Sequence, residues 1–193
     1  MANQKKLAHL LDATQCIGCS ACIVACAQTN YPDMLNVENS GWKSLPANIR
    51  RVRADLARRP VELLVQCQQC EDAPCVTVCP FGANFHDPET GQVKTDPERC
   101  VGCGYCVTAC PYDARWLHPT TGLPVKCMGA GCEALLKEGK QPACVAACPV
   151  SARAFGDIND PTSEISQRLA RGNTERLLPQ KGTKPNFFIV VHK

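Results

Sequence analysis

The sequence is short of the bulky side chains from which a hydrophobic interior is ordinarily built. Only 5% of its 193 residues are aromatic, against 15 prolines and 13 glycines, so something other than side-chain packing has to organise the interior. Long apolar runs are missing too. Residues 61–65, interrupted by Glu62, and residues 187–191 fall far below the roughly 20 residues of a bilayer-spanning helix. The opening Met1-Ala2-Asn3-Gln4-Lys5-Lys6 leads into Leu-Ala-His-Leu-Leu and then Asp12, without the apolar stretch and small-residue cleavage site of a secretory leader. Arg50-Arg51 and Arg58-Arg59 lie far inside the chain, so no twin-arginine signal is legible near the start. No serine–histidine pairing, phosphate-cradling loop or paired-carboxylate arrangement is present. The expectation is a chain that neither crosses a membrane by itself nor carries out catalysis on its own.

What is abundant is cysteine. Sixteen of them, about 8% of the chain, approach the density of a disulfide scaffold in a short secreted protein. Without a leader, so many cysteines read as metal ligands rather than bridges. The formal charge of +3 counts every thiol as neutral. Metal-bound thiolates are deprotonated, so the loaded chain is acidic and a nucleic-acid partner is not expected.

The cysteines form four groups of four: Cys16, Cys19, Cys22, Cys26; Cys67, Cys70, Cys75, Cys79; Cys100, Cys103, Cys106, Cys110; and Cys127, Cys132, Cys144, Cys148. Groups one and three read C-x-x-C-x-x-C-x-x-x-C, and the second has four residues in its middle gap. The groups repeat one another. Cys75-Val-Thr-Val-Cys79-Pro80-Phe-Gly-Ala83 matches Cys106-Val-Thr-Ala-Cys110-Pro111-Tyr-Asp-Ala114 and Cys144-Val-Ala-Ala-Cys148-Pro149-Val-Ser-Ala152, whereas the first group has Ala27 in place of the proline.

Residues 85–93 and 117–123 each place apolar side chains around a Pro/Thr/Gly turn and predict short hairpins. Residues 63–65 and 7–11 predict strands entering the cysteine loops. Short helical turns are expected to follow each third cysteine, ending at the Cys-Pro step because the residue before proline disfavours the helical region. Residues 31–60 form a polar insertion carrying Arg50, Arg51, Arg53, Arg58 and Arg59, either a docking patch for an acidic partner or a solvated loop. Residues 159–193 form a tail, with an amphipathic helix expected over 164–178 and an apolar end, 187–191, that lies against a partner or forms an edge strand. His9, His86, His118 and His192 have no ligand spacing and are assigned surface or packing roles, and Trp42 and Trp116 are assigned packing or interface roles rather than electron relay.

Three thiolates at Cys-x-x-Cys-x-x-Cys supply three corners of a cubane 4Fe–4S cluster from one tight loop, and the remote Cys before Pro supplies the fourth. In two-cluster ferredoxins that cysteine ligates the other cluster. Zinc sites instead take two ligands from each of two pairs, and triplets at this density leave thiolates over. The exchange rule gives four ligand sets. Cys67, Cys70, Cys75 and Cys110 hold one cluster, and Cys100, Cys103, Cys106 and Cys79 its neighbour. Cys16, Cys19, Cys22 and Cys148 hold a third, and Cys127, Cys132, Cys144 and Cys26 the last. The gap Cys127-Met-Gly-Ala-Gly-Cys132 is enlarged, with Gly129 and Gly131 expected to supply conformations closed to other residues; a 4Fe–4S cluster is expected there, with a three-iron or altered cluster as the alternative. The resulting fold class is α+β and loop-rich, with two bacterial-ferredoxin-like modules, one inserted in the other. Residues 1–62 and 120–158 form the outer module, 63–119 the inserted one, and 159–193 the tail.

The layout resembles the iron–sulfur subunits of the dimethyl sulfoxide reductase family, which include the electron-transfer subunits of dimethyl sulfoxide, polysulfide, thiosulfate and tetrathionate reductases. The likeness covers roughly residues 8–158. It rests on Cys16-Ile-Gly-Cys19, Cys67-Gln-Gln-Cys70-Glu-Asp-Ala-Pro-Cys75, Cys100-Val-Gly-Cys103-Gly-Tyr-Cys106 and Glu138-Gly-Lys-Gln-Pro142-Ala-Cys144, with Lys184-Pro185-Asn186 adding a little. It implies a non-catalytic subunit of an anaerobic respiratory oxidoreductase acting on a sulfur or other small inorganic compound. Four 4Fe–4S clusters would relay electrons between a molybdopterin-containing catalytic subunit and an integral membrane quinone-reactive subunit. The cluster of Cys16, Cys19 and Cys22 would lie nearest the catalytic partner, and the pair from groups two and three toward the membrane. The protein would be membrane-associated through its partners, on the cytoplasmic face, or on the periplasmic face if co-exported with a signal-bearing partner. Some relatives replace a third-group cysteine and hold a three-iron cluster; here all four are present. Alternatives are the equivalent subunit of a hydrogenase or formate dehydrogenase, or a zinc-stabilised interaction protein.

Overall fold

A computed structural model of the protein describes residues 5–35, 46–57 and 59–192. Arg58 and residues 36–45 of the polar insertion, Trp42 among them, lie outside the described residues. The elements run β1 (Leu7–Asp12), α1 (Ala21–Asn30), α2 (Pro32–Leu35), β2 (Arg50–Leu56), β3 (Arg59–Val65), α3 (Pro74–Thr77), β4 (Asn84–His86) and β5 (Val93–Thr95). There follow α4 (Tyr105–Thr108), β6 (Trp116–Leu117), β7 (Pro124–Val125), α5 (Ala130–Lys137), α6 (Ala143–Ala146), β8 (Arg153–Asp157), α7 (Glu164–Arg171), β9 (Thr174–Glu175) and β10 (Phe187–Val190). Helix and sheet are thus mixed, with loops between short elements.

The one sheet of more than two strands among the described residues has the order β8-β1-β10-β9, with β1 antiparallel to β8 and parallel to β10. Alternation along the strands divides its side chains between two faces. Ala8, Leu10, Ala154 and Phe188 pack with Ile165 of α7, whereas Leu11, Phe187 and Ile189 join a second cluster that contains Cys67, Cys70, Cys75, Cys106 and Cys127. The sheet is therefore covered by a helix on one side and by cysteine loops on the other. The apolar end, 187–191, is neither an edge strand nor a partner-facing surface. Its residues 187–190 form β10, an inner strand between β1 and β9, which is why they are buried.

Helix α7 begins where Ser163 Oγ accepts the amide of Ser166 at 3.2 Å, a side-chain N-cap. An i,i+4 pair, Glu164–Arg168 at 2.6 Å, runs along it. Ile165 is completely buried, contributing on the order of 2 kcal/mol through its removal from water. The helix ends at Arg171 rather than at the expected Leu178. Gly172 breaks it, and the chain turns into β9, which pairs with Ile189 and Val190. Local periodicity cannot foresee that long-range pairing.

The two predicted hairpins form as β4–β5 and β6–β7. In the first, Asp87 Oδ1 accepts the Glu89 amide and Oδ2 the Thr90 hydroxyl, each at 2.9 Å, an Asx-type turn. Burial pushes the Asp87 carboxyl up, but the Lys94 ammonium, the Glu89 amide and the Thr90 hydroxyl together hold it below its ordinary value. The arginine-rich stretch is not a solvated loop where it is described. Arg50, Arg51 and Arg53 lie on β2, paired along its length with β3. Arg50 forms an ion pair with Asp113, and Arg51 reaches the Gly18 carbonyl at 3.1 Å and Glu62 at 3.1 Å, so two of these arginines are engaged within the chain.

Candidate metal centres

Each cysteine triplet is a local turn of one kind. The residue before the second cysteine takes a left-handed conformation in three groups: Gly18 (φ 67°), Gln69 (φ 48°) and Gly102 (φ 71°). Glycine suits this region, and at Gly102 a side chain is barred twice over, because a Cβ would stand 2.9 Å from the Gly122 carbonyl. Gln69 is held there by both ends of its side chain. Its Nε2 donates to the Cys127 carbonyl at 2.7 Å and its Oε1 accepts the Val93 amide at 2.8 Å. Asn186 Nδ2 adds a bond to the Gln69 carbonyl at 3.1 Å, which gives the sequence Lys184-Pro185-Asn186 a structural role in pinning the second cysteine loop.

The third cysteine of every group sits within the helical turn expected to follow it: Cys22 in α1, Cys75 in α3, Cys106 in α4 and Cys144 in α6, each helix starting one residue earlier. The last three helices stop before Cys-Pro, as expected. Helix α1 runs on to Asn30 because Ala27 replaces the proline. After Cys-Pro the chain turns through a left-handed residue, Gly82, Asp113 or Ser151. The following amide is thereby aimed back at the thiol: Ala114 N lies 3.5 Å from Cys110 Sγ and Ala152 N 3.2 Å from Cys148 Sγ. At Cys79 the amides of Asn84, Phe81 and Ala83 outweigh burial and hold the thiol below its ordinary value.

Two cavities gather cysteines from different groups. One is lined by Cys67, Cys70, Cys75 and Cys110, with Arg115, Tyr112 and Val93. The other is lined by Cys79, Cys100, Cys103 and Cys106. In each, a triplet from one loop meets the Cys-Pro cysteine of the neighbouring group. Burial pushes the Cys70 thiol up to about 12, and the neighbouring Cys67, Cys75 and Cys110 act in the same direction.

A third gathering surrounds Cys26. Asn30 Nδ2 lies 3.4 Å from Cys132 Sγ and 3.6 Å from Cys26 Sγ, and the Asn48 amide lies 3.3 Å from Cys26 Sγ. Cys26, Cys127, Cys132 and Cys144 are all buried. Burial raises the Cys127 and Cys144 thiols, the latter to about 12, with Cys144 and Cys26 adding to the first and Cys132 and Cys26 to the second. The role of the glycines in the enlarged loop differs from expectation. Gly129 is extended (φ −89°) and Gly131 is helical within α5, so neither uses a glycine-only conformation. They are small because α1 passes against them. A Cβ on Gly131 would meet the Thr29 carbonyl oxygen at 2.0 Å, and one on Gly129 would meet Asn30 Oδ1 at 2.4 Å.

Of the remaining predicted ligands Cys22 is buried, and Cys16 and Cys148 are half-buried. Cys16 and Cys22 pack with Cys26 and Cys144, while Cys16 and Cys148 both flank the main cluster. Cys19 is exposed, as is Cys103. His9 is buried in van der Waals range of Phe155, with ring centroids 4.6 Å apart, the packing role expected. Burial, reinforced by Arg153, holds its imidazole down at about 3, and Nε2 lies 3.7 Å from Cys127 Sγ. An anionic group on Cys127 acts in the opposite sense. Trp116 packs on Tyr31, centroids 5.1 Å apart, and donates to Asn48 Oδ1 at 3.2 Å.

Sequence reasoning missed the buried polar residues around the thiols. Arg115, Lys126 and Arg153 are all buried, and none forms an ion pair with a carboxylate among the described residues. A signal was present: Asn84, Arg115 and Arg153 occupy the same place in the three repeats, one after the alanine. Arg115 Nη1 donates to its counterpart Asn84 Oδ1 at 2.9 Å, and Arg153 Nη1 to Gln66 Oε1 at 3.0 Å. Lys126 Nζ donates to the Cys127 carbonyl at 3.0 Å. All sixteen cysteines are free thiols. Buried thiols that raise one another, beside buried cations with no carboxylate, make a donor set suited to an anionic thiolate-ligated cluster. Among the described residues no three His, Cys, Asp or Glu side chains converge as ligands of a single ion; the thiols ring a space instead.

Comparison with known proteins agrees with this chemistry. Residues 63–158 match the family described as 4Fe-4S dicluster domain. The sequence is 38% identical over 185 residues to the "Protein NrfC homolog" of Haemophilus influenzae, covering 95% of this protein and 79% of that one. It is 42% identical over 193 residues to the B component of the polysulfide reductase of Wolinella succinogenes, with 98% and 96% covered. It is 41% identical over 178 residues to "Thiosulfate reductase electron transfer subunit PhsB" of Salmonella typhi, with 91% and 86% covered.

Proposed function

Since the chain belongs to the iron–sulfur electron-transfer subunits of the dimethyl sulfoxide reductase type, we propose that it holds four 4Fe–4S clusters and conducts electrons through them between two partner subunits. The observation that carries this reading is the lining of the two cavities. Each combines a local triplet with the Cys-Pro cysteine of the other group, the exchange known from two-cluster ferredoxins. The ligand sets are Cys67, Cys70, Cys75 and Cys110; Cys100, Cys103, Cys106 and Cys79; Cys127, Cys132, Cys144 and Cys26; and Cys16, Cys19, Cys22 and Cys148. The proximity of Cys26 to Cys132 through Asn30 supports the third set. The fourth completes the pairing by exchange. By the same logic residues 63–119 are an inserted module within an outer one formed by 1–62 and 120–158. Residues 159–193 close the outer module's sheet through β10.

Bound in such sites, a cluster exchanges single electrons at a potential set by its surroundings. The chain's own residues fix the distance between sites, keep water away and aim amides at the sulfurs. The exposed thiols Cys19 and Cys103 fall in different sets. Exposed apolar residues stand beside each: Ile17 by the first, Val101 and Tyr105 by the second. These are the two ends at which electrons enter and leave. The Cys19 end is assigned to a molybdopterin-containing catalytic subunit, and the Cys103 end to an integral membrane quinone-reactive subunit. No described helix is long and apolar enough to cross a membrane, and attachment to the bilayer is assigned to that partner. The names of the relatives favour a sulfur compound as the substrate of the complex.

Anaerobic purification of the native complex through a tag on this chain tests the reading. Co-elution of a large molybdenum-containing subunit and a membrane subunit, with the chain reduced by a quinol analogue, is the expected result. Recovery of the native chain only as a free monomer overturns the complex. A nickel-containing partner in place of the molybdenum one would assign the chain to a hydrogenase.

A further inference from the structure

Arg115 is 1% exposed, yet only one of its three guanidinium nitrogens is satisfied. Nη1 donates to Asn84 Oδ1 at 2.9 Å and reaches Thr95 Oγ1 at 3.4 Å. Nε and Nη2 are buried with no hydrogen-bond partner at bonding distance, and the Cys106 thiol is a group placed to accept from the guanidinium. No carboxylate pairs with it among the described residues. An arginine stays charged in any protein environment, and an isolated buried cation is costly, so the site calls for an anion able to take up those free N–H groups. The groups beside it that can carry negative charge are the thiols of Cys67, Cys75 and Cys106. Arg115 lines the cavity of Cys67, Cys70, Cys75 and Cys110. Burial disfavours its charge, but Cys75, Cys67 and Cys106 outweigh that and raise its pKa. Cys106 lines the other cavity. Asn84, to which Nη1 donates, lines that second cavity too, so Arg115 lines one cysteine set and reaches the edge of the other.

Resting on the cluster reading above, we propose that Arg115 is the shared counter-charge of the two neighbouring clusters and raises the reduction potential of both. A fixed positive charge favours whichever redox state carries more negative charge, which is the reduced one. Lining one site and reaching the edge of the other, it also screens the repulsion that an electron on one would exert on the other. The guanidinium suits this position better than an ammonium, because its planar fork presents donors in fixed directions on more than one side.

The test uses the full chain in its complex, purified without oxygen, with Arg115→Gln and Arg115→Lys beside the wild type. Iron and acid-labile sulfide are measured first, and then the midpoint of each cluster by EPR-monitored redox titration. Arg115→Gln is expected to keep its iron, while two of the four midpoints move negative. At the wild-type midpoints the reduced-to-oxidised ratio falls at least tenfold, a shift of about 59 mV for a one-electron couple. Arg115→Lys is expected to restore most of that shift, and the other two midpoints to stay in place. Full iron with all four midpoints unmoved in Arg115→Gln overturns the proposal and leaves the cluster reading intact. Loss of iron from both variants also overturns it, making Arg115 a determinant of folding alone. A wild-type protein without cubane iron would instead sink the cluster reading itself.

Discussion

Replacing Cys26 by serine is expected to remove the cluster of Cys127, Cys132 and Cys144 and to leave that of Cys16, Cys19 and Cys22 in place. In sequence Cys26 belongs with Cys16, Cys19 and Cys22, so a purely local assignment predicts the opposite. Spatially its thiol shares Asn30 with Cys132, at 3.6 and 3.4 Å. Among the cysteines, Cys132 is the one whose charge most opposes its ionisation. Iron per chain should fall by about four atoms, or by about one if serine leaves a three-iron cluster behind. The assignment is resolved by pairing the mutation. A Cys26→Ser/Cys132→Ser double variant should lose no more iron than Cys132→Ser alone, because both changes strike one site. Cys26→Ser combined with Cys19→Ser should lose about twice as much. The reverse pattern, additive with Cys132 and non-additive with Cys19, would refute the exchanged ligation.

Gly131→Ala is expected to be as damaging as the loss of a ligand, although one methyl group is all it adds. That methyl would stand 2.0 Å from the Thr29 carbonyl oxygen and 2.8 Å from its carbon. Both are backbone atoms and cannot rotate away. The end of α1 and the start of α5 must separate, and with them go the Asn30 Oδ1 contact to the Cys132 amide at 3.1 Å and the position of Cys132 Sγ. Overpacking of this severity costs about 3 kcal/mol, or about 10 °C in unfolding temperature for a protein of this size. Iron should fall by about one cluster. Gly139→Ala is the control. Its φ of 73° disfavours a side chain, but nothing lies within 4 Å of the added carbon. That change should cost about 1 kcal/mol and leave iron unchanged. Equal effects from the two substitutions would show that backbone conformation, not the close approach of α1, is what the glycines in this protein provide.

The local parts of this molecule are legible because the cysteine motifs dictate them. Proline after Cys79, Cys110 and Cys148 stops a helix, and its replacement by Ala27 lets one continue. Gly18 and Gly102 sit where the loop turns left-handed, and both Pro/Thr/Gly turns close hairpins. What escapes is whatever depends on partners distant in sequence. Residues 50–56 read as polar insertion, since nothing in Arg-Arg-Val-Arg announces a strand until residues 63–65 are found opposite it. The stretch 187–191 is plainly apolar, but its burial between β1 and β9 joins ends of the chain that no local pattern connects. The glycines of the fourth group stand out in the sequence, yet for a different physical reason than backbone freedom: the space they leave is occupied by α1, about a hundred residues earlier. Arg115 and Arg153 are within reach of the repeat, one position beyond its final alanine. A buried cation beside a thiol makes sense only once an anionic occupant is supposed.

The most direct measurement is elemental. The full protein, isolated without oxygen and never exposed to chelator, should contain about 16 iron and about 16 acid-labile sulfide atoms, one cubane for each four of its sixteen cysteines. It should also show the broad brown absorbance that dithionite bleaches. A colourless protein with zinc in place of iron, or with one or two irons and no labile sulfide, would contradict the account at its root.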